Sequence, residues 1–153
     1  MAAARTFLLK GARVLVTLDA STSFLEVVRG PLGIRSAARG CGNGLCGSCR
    51  VLVEGELWNT CMKTLEDVPD GARVEGYEEL STHPAAAAAV CAFTEERPSR
   101  CTLCVPALGL TAVALARAGK RGDEAAIEET LETAACMCTG RGSLRRALLV
   151  KGG

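Results

Sequence analysis

The sequence predicts an α+β protein in which a region of short strands precedes a region of helices. Apolar runs in the first 75 residues are short and separated by turn residues, whereas from Ser81 onward alanine- and leucine-rich helical stretches replace them. A chain of 153 residues with 48% hydrophobic residues and a net charge of +1 can form one medium domain or two small ones. This composition excludes a disordered tail, a collagen-like repeat and a strongly basic nucleic-acid binder.

Two hairpins account for most of the predicted strands. Their turn residues are Gly11-Ala12 in the first hairpin and Glu54-Gly55 in the second. A further strand is predicted to start at Val74, after a Pro-Asp-Gly turn. The flanking apolar runs are Arg5–Lys10, Arg13–Leu18, Arg50–Val53 and Glu56–Trp58.

A short helix and a glycine-rich loop are predicted between the hairpins. Ser23 followed by Glu26 has the spacing of a capping box, and Gly30-Pro31 should end the helix. The segment RGCGNGLCGSC that follows is too rich in glycine for a helix or a strand.

Four helices with short links predict a small bundle in the second half of the chain. Asp123 is a candidate N-cap, with acidic residues in the first turn behind it. The polar stretch at residues 76–82 predicts the boundary, which gives domains 1–78 and 79–153. The helical stretches are Pro84–Phe93, Pro106–Ala118, Asp123–Thr133 and Ser143–Val150.

Nine cysteines are the most informative feature of the composition. The N-terminal segment does not have the pattern of a signal peptide, and no apolar run reaches the roughly 20 residues of a membrane helix. We therefore expect a cytoplasmic protein, whose thiols stay reduced. An odd number would also leave one cysteine unpaired in a complete disulfide scheme, so metal ligation is the better interpretation.

The first cysteine group has the plant-type [2Fe–2S] spacing, C-x4-C-x2-C followed by a more distant cysteine. An oxidised cluster held by four thiolates carries two negative charges and gains a third on reduction, so backbone N–H groups must point at its sulfurs. Glycines with positive φ allow this, and we expect it of Gly40, Gly42, Gly44 and Gly47. A zinc knuckle is the alternative, although it usually has two C-x2-C pairs. The four predicted ligands are Cys41, Cys46, Cys49 and Cys61.

The second group pairs a C-x2-C with a C-x-C that follows 31 residues later, at Cys101, Cys104, Cys136 and Cys138. A helical hairpin between the two pairs can bring them together. Pro106 suits the first turn of a helix, which places Cys104 at a helix N-terminus where the dipole favours a thiolate. By themselves, these four residues could hold either Zn²⁺ or a [2Fe–2S] cluster.

Taken together, the two groups resemble the small iron–sulfur subunit of the xanthine oxidase, or molybdenum hydroxylase, family. The segments that carry the resemblance are RGCGNGLCGSCRV, HPAAAAAVCAF, RCTLCVPALGL and CMCTGRGSLRRAL. The resemblance implies a β-grasp ferredoxin domain followed by a four-helix domain, with one [2Fe–2S] cluster in each. It also implies a large molybdopterin-binding subunit and a medium FAD-binding subunit as partners, between which the clusters relay single electrons.

The chain departs from the family pattern around the second site. The resemblance implies that Arg100 takes the position of a glutamine that contacts the pterin, so we expect Arg100 to lie at the cofactor. Thr102 stands where the family has a glycine. Ala134-Ala135 and Arg141 replace a Gly-Asn pair and an aromatic residue.

No residue predicts catalysis by this chain itself, and the remaining candidates receive structural interpretations. Cys91, in an alanine-rich helix, is expected to be a buried inert thiol, and His83 before a proline is expected to cap a helix. The glutamates from Glu124 to Glu132 are expected to form a solvated face. Two other functions stay open on sequence grounds, a free-standing two-cluster electron carrier and a zinc-stapled interaction module.

Overall fold

A computed structural model describes residues 1–96, 102–134 and 140–150 of the 153-residue chain. In these residues the strands all lie in the first half of the chain and every α-helix but one lies in the second half, so the predicted α+β class is confirmed. The strands are β1 (Ala2–Leu9), β2 (Ala12–Asp19), β3 (Arg50–Val53), β4 (Glu56–Asn59) and β5 (Ala72–Glu75). The helices are α1 (Phe24–Arg29), α2 (Tyr77–Leu80), α3 (Pro84–Glu96), α4 (Val105–Arg117), α5 (Glu124–Leu131) and α6 (Gly140–Leu149), with 3-10 turns at Thr60–Met62 and Leu65–Asp67.

The five strands form one mixed sheet in the order β2-β1-β5-β3-β4. The central pair β1 and β5 runs parallel, and the other neighbouring pairs are antiparallel. Helix α1 packs its apolar side against the sheet, where Phe24 stacks on Phe7 and meets Trp58 edge-on. This apolar core supports the loop that leads from α1 to β3.

The turn of the first hairpin lies one residue earlier than predicted. Lys10 and Gly11 form it with φ of 50° and 79°, and Leu9 pairs with Ala12 across the strands. Two successive positive φ angles match the right-handed twist of the flanking strands, and this turn type favours glycine at its second position. The second hairpin has the predicted turn, with positive φ at Glu54 and Gly55.

The predicted helix after the first hairpin is present, but the predicted capping box is not. The side chain of Ser23 accepts no hydrogen bond; its backbone carbonyl accepts from the N–H groups of Glu26 and Val27 instead. Ser23 forms an isolated bridge with Thr64, which fixes its backbone in an extended conformation. A long-range backbone bridge, and not the predicted side-chain cap, therefore holds the start of α1.

All four predicted helices of the second half are present, and a one-turn helix, α2, precedes them. The side chain of Asp123 accepts hydrogen bonds from the N–H groups of Ala125 and Ala126, as the N-cap prediction required. His83 Nδ1 accepts from the N–H of Ala85, which confirms its capping role. In the described part of the chain, the helices are too short or too polar to cross a membrane.

Buried polar contacts join the sheet region (residues 1–76) to the helical region (residues 77–150). Glu75 on β5 is buried and forms a two-pronged salt bridge with Arg117 on α4, with N–O distances of 2.7 and 3.1 Å. An apolar cluster crosses the same boundary, where Leu52 of β3 packs with Leu110 and Val113 of α4. The first cysteine loop also meets the helical region, because Gly47 lies against the backbone of Thr133 and Ala134 after α5.

Candidate metal centre

The four cysteines of the first group lie on two neighbouring segments. Cys41, Cys46 and Cys49 belong to the loop between α1 and β3, and Cys61 lies in the 3-10 turn that follows β4. Because β3 and β4 form a hairpin, the turn after β4 returns to the point where the loop enters β3. The four side chains are free thiols whose exposure ranges from exposed at Cys41 to buried at Cys49.

Backbone N–H groups in the loop point at the sulfur atoms. Cys41 Sγ accepts hydrogen bonds from the N–H groups of Asn43, Leu45 and Cys46 at 3.3–3.4 Å. Cys46 Sγ accepts from the N–H groups of Cys41 and Ser48 at 3.4 and 3.5 Å. The loop is therefore organised to stabilise negative charge on sulfur, as the sequence predicted.

The thiols of Cys41 and Cys61 have pKa values that are shifted in opposite directions. Burial alone would raise the pKa of Cys41, but the N–H groups of Cys46, Asn43 and Leu45 lower it to about 7. At Cys61, burial raises the pKa to about 11, and the neighbouring Cys49 adds to the effect. The exposed Cys41 thus favours the thiolate, whereas the partly buried Cys61 on the adjoining turn needs a positive partner before it can hold one.

The glycines of the loop serve two different needs. Positive φ is present at Gly42, Gly44 and Gly47, as predicted. It is absent at Gly40, where the prediction was wrong and space is the reason for glycine. A Cβ there would stand 2.5 Å from Cys46 Sγ and would overlap Ser48 Oγ. The backbone approaches the sulfur too closely for any side chain.

The donor set fits a binuclear cluster. In residues 1–96, 102–134 and 140–150, no three His, Cys, Asp or Glu side chains converge as ligands of a single metal ion. A [2Fe–2S] cluster makes a different demand, because each of its irons takes two of four thiolates. Four thiols on two adjoining segments, together with N–H groups aimed at sulfur, are donors of the type that such a cluster takes.

Arg50 follows Cys49 directly and is buried, with 4% of its surface exposed. Its guanidinium donates to Asn59 Oδ1, to Thr111 Oγ1 on α4 and, around the end of α5, to the Thr130 carbonyl and Thr133 Oγ1, at 2.6–3.1 Å. Burial lowers the pKa of Arg50 to about 10, against the charges of Cys49 and Cys46, so it remains protonated near neutral pH.

Sequence reasoning missed Arg50. The signal was available, because an arginine at the head of the apolar segment RVLV, directly after a predicted ligand, must either leave the core or find several partners there. Three of the four partners that it finds are more than 60 positions away in the sequence. Those partners could not be identified from local pattern alone.

Only one cysteine of the second group falls within the described residues. Cys104 is buried and directly precedes α4, with Pro106 in the first turn as predicted. The predicted ligands Cys101, Cys136 and Cys138, and the predicted pterin contact Arg100, lie outside the described residues. A small space of about 10 Å³ is lined by both Cys104 and Cys46, so these two cysteines lie near each other.

Cys91 is exposed, so the expectation of a buried thiol was wrong. Helix α3 buries Ala85, Ala89 and Phe93, which are four residues apart and lie on one face. Cys91, two residues from Ala89, therefore lies on the opposite face, where its Sγ is 3.7 Å from Glu95 Oε1. The alanine-rich composition of this helix concealed which face is buried.

The glutamates of α5 lie at the surface, as predicted, and some form ion pairs. Glu124 and Glu128 both pair with Arg145 on α6, each at 2.8 Å. Glu128 also pairs with Arg141 at 3.1 Å. These exposed pairs connect neighbouring helices and contribute little stability each.

No protein-family model matches the chain, but known proteins resemble it. It is 31% identical over 127 residues to a probable xanthine dehydrogenase subunit of Bacillus subtilis, covering 83% of this chain and 72% of that protein. Its fold matches quinoline 2-oxidoreductase of Pseudomonas putida 86, with a TM-score of 0.79, 20% identity and 98% and 92% of the two chains covered. It also matches the aldehyde oxidoreductase of Desulfovibrio desulfuricans, with a TM-score of 0.78 and 23% identity. There, 95% of this chain corresponds to 16% of the longer one.

Proposed function

The chain belongs to the small iron–sulfur subunits of xanthine dehydrogenase and related molybdenum hydroxylases, and from this we propose that it is the electron relay of such an enzyme. Two [2Fe–2S] clusters would carry electrons singly from a molybdopterin site on a large subunit to FAD on a medium subunit. Each cluster, when bound, accepts and releases one electron at a time. The substrate is oxidised on the partner, and this chain contributes no catalytic residue.

One observation carries the proposal, the set of backbone N–H groups that point at Cys41 Sγ and Cys46 Sγ. Successive backbone N–H groups aimed at neighbouring sulfurs form a concavity that stabilises an anionic group such as an iron–sulfur cluster. The proposed ligands of the first cluster are Cys41, Cys46, Cys49 and Cys61.

The proposed ligands of the second cluster are Cys101, Cys104, Cys136 and Cys138. Support comes from Cys104, which is buried at the start of α4 where the helix dipole favours a thiolate. Its approach to Cys46 across a narrow space also favours electron exchange between the two sites. We assign the second cluster to the side of the pterin and the first to the side of the flavin, and we place Arg100 at the pterin.

The proposed domain division follows the two sites. Residues 1–78 would form a β-grasp ferredoxin domain, and residues 79–153 a four-helix domain. The mixed sheet with α1 on one face and the packing of α3 to α6 support this division. The free thiols of the first cysteine group fit a reducing compartment, and the proposed location is the cytoplasm.

Metal analysis and EPR of three cysteine variants test the proposal directly. The wild-type chain should contain four iron and four acid-labile sulfide and give two EPR signals on reduction. Cys41→Ser should remove one signal and Cys104→Ser the other. Cys91→Ser is the matched control, because this exposed cysteine is not a proposed ligand, and it should keep both signals.

Turnover by the assembled enzyme separates the relay from other functions. Cys41→Ser should still allow reduction of the molybdenum centre by substrate, while transfer to the flavin slows. Unchanged turnover without the first cluster would contradict the relay. Stoichiometric zinc without iron would indicate the stapled module, and purification as a lone monomer of 15.9 kDa would indicate a free carrier.

A further inference from the structure

Within the part of the chain that the structure describes, Arg50 is a buried cation without a carboxylate partner. Among the described residues, its hydrogen-bond partners are an amide oxygen, two hydroxyls and a backbone carbonyl, all of them neutral. A buried charge of this kind is costly unless an opposite charge lies close to it. Arg50 directly follows Cys49 in the chain and lines the same small space as Cys46, so the thiolates of these two ligand candidates can supply that charge.

The position of the guanidinium is fixed from three sides. Its Nε donates a hydrogen bond to Asn59 on β4, and its Nη1 donates to Thr111 on α4. Its Nη2 donates to Thr130 and Thr133 around the end of α5. A side chain held by four hydrogen bonds loses little further entropy and reorganises little when nearby charge changes. Its field at the cysteine loop is therefore constant.

We propose that Arg50 sets the reduction potential of the cluster held by Cys41, Cys46, Cys49 and Cys61. It does so through the electrostatic field of its fixed positive charge and not as a ligand. Reduction adds one negative charge to the cluster, which a fixed positive charge nearby stabilises. Because Arg50 is shielded from water, this attraction is screened far less than that of a surface arginine. The inference rests on the proposed cluster assignment, and it adds the prediction that Arg50 raises the potential of this cluster selectively.

The test is a redox titration of the iron-loaded chain, with each EPR signal followed separately. Arg50→Gln should reduce the equilibrium constant for reduction of the first cluster at least tenfold, which is 59 mV for a one-electron couple. Arg50→Lys, which keeps the charge, should stay within threefold of wild type. The second cluster should change less than the first in both variants.

Arg39→Gln is the matched control on the same loop. Arg39 lies two residues before Cys41, but its side chain is 67% exposed and stands 3.7 Å from Glu26. Water and the glutamate weaken its field, so its removal should change the constant less than twofold. Equal shifts in Arg50→Gln and Arg39→Gln, or no shift in Arg50→Gln, would overturn the proposal.

A second pair of variants leaves Arg50 in place. Thr111→Asp sets a carboxylate against the guanidinium and should reduce the constant at least fivefold, whereas Thr111→Asn should stay within twofold of wild type. If Arg50→Gln and Thr111→Asp both fail to bind iron while Thr111→Asn binds it, Arg50 acts only on folding, and the proposal is wrong. A wild-type chain that binds no cluster would instead contradict the proposed function itself.

Discussion

The sheet region and the helical region hold their cysteines in different ways. In the sheet region, three of the four lie within nine residues of the loop between α1 and β3. The glycines and N–H groups of this loop surround the sulfurs. In the helical region, 31 residues separate the two pairs, and helices α4 and α5 stand between them. A local loop conformation can organise the first group, whereas the second depends on how two helices pack.

The first cysteine group also lies at the contact between the two regions. Gly47, inside the cysteine loop, lies against the backbone of Thr133 and Ala134 at the end of α5. Asn59 also donates to the Thr133 carbonyl at 3.2 Å. The loop of one region therefore packs against the last described residues before the second pair of cysteines in the sequence.

The largest expected effect comes from filling the space at Gly47. Gly47→Ala would place a Cβ 2.8 Å from the Thr133 carbonyl oxygen and also force alanine to φ +71°. We expect the free energy of unfolding to fall by about 3 kcal/mol, from overpacking and backbone strain together. Urea unfolding measures this change, and EPR shows whether both clusters are disturbed.

Gly55→Ala is the control for that experiment. Its φ is +82°, but nothing lies within 4 Å of the added Cβ. It should cost only about 1 kcal/mol, which is the strain of the left-handed backbone alone. Equal losses in the two variants would mean that the contact between Gly47 and α5 contributes nothing.

Removing Arg117 should weaken the contact between the two regions without changing any residue of either cysteine group. Arg117→Leu leaves the carboxylate of Glu75 buried, and we expect unfolding to become easier by about 2 kcal/mol. Arg73→Leu removes the other, 57% exposed partner of Glu75 and should cost less than about 1 kcal/mol. A larger loss of unfolding free energy in Arg73→Leu than in Arg117→Leu would show that Glu75 stabilises the fold mainly through Arg73 on β5 and not through the salt bridge to α4.

The same salt bridge predicts a pH dependence. The hydrogen bond from Arg117 is the main reason that the pKa of Glu75 lies below its usual 4.5, despite the opposing effect of burial. The ionised carboxylate therefore stabilises the fold above about pH 4.5, and this stabilisation is lost as pH falls through the lowered pKa.

Comparison of wild type with Glu75→Gln isolates this contribution. The difference in unfolding free energy should be constant near neutral pH and should shrink in acid. Any loss of clusters in acid affects both proteins and cancels from the difference. A difference that grows as the pH falls would contradict the assigned sign.

The smallest expected effects compare one helix cap in each region. Asp123→Ala removes an acceptor of two N–H groups and should cost about 1 kcal/mol. Ser23→Ala, at the start of α1, removes a side chain that makes no capping bond and should cost only a few tenths. Thermal unfolding of the two variants resolves this difference, and a larger loss at Ser23 would mean that its hydroxyl acts in a way that the structure does not show.

Much of the local architecture could be predicted because its causes are local. Turn residues with positive φ, helix-capping residues and apolar periodicity each act over a few positions, which is why the second hairpin, the cap at Asp123 and four helices agree with the prediction. The cysteine spacing and the glycines around it likewise indicated a loop that directs N–H groups toward sulfur. Family membership followed from the same segments.

The tertiary structure alone decided which residues act across the two regions. Ser23 lost its predicted capping bond to a bridge with Thr64, and Cys91 turned out to lie on the exposed face of its helix. Arg50 is a buried charge because α4 and α5 bring its hydrogen-bond acceptors to the start of β3. Contacts between residues 61 to 83 positions apart leave no periodic trace in a single sequence, since they depend on packing directions that only the folded chain defines.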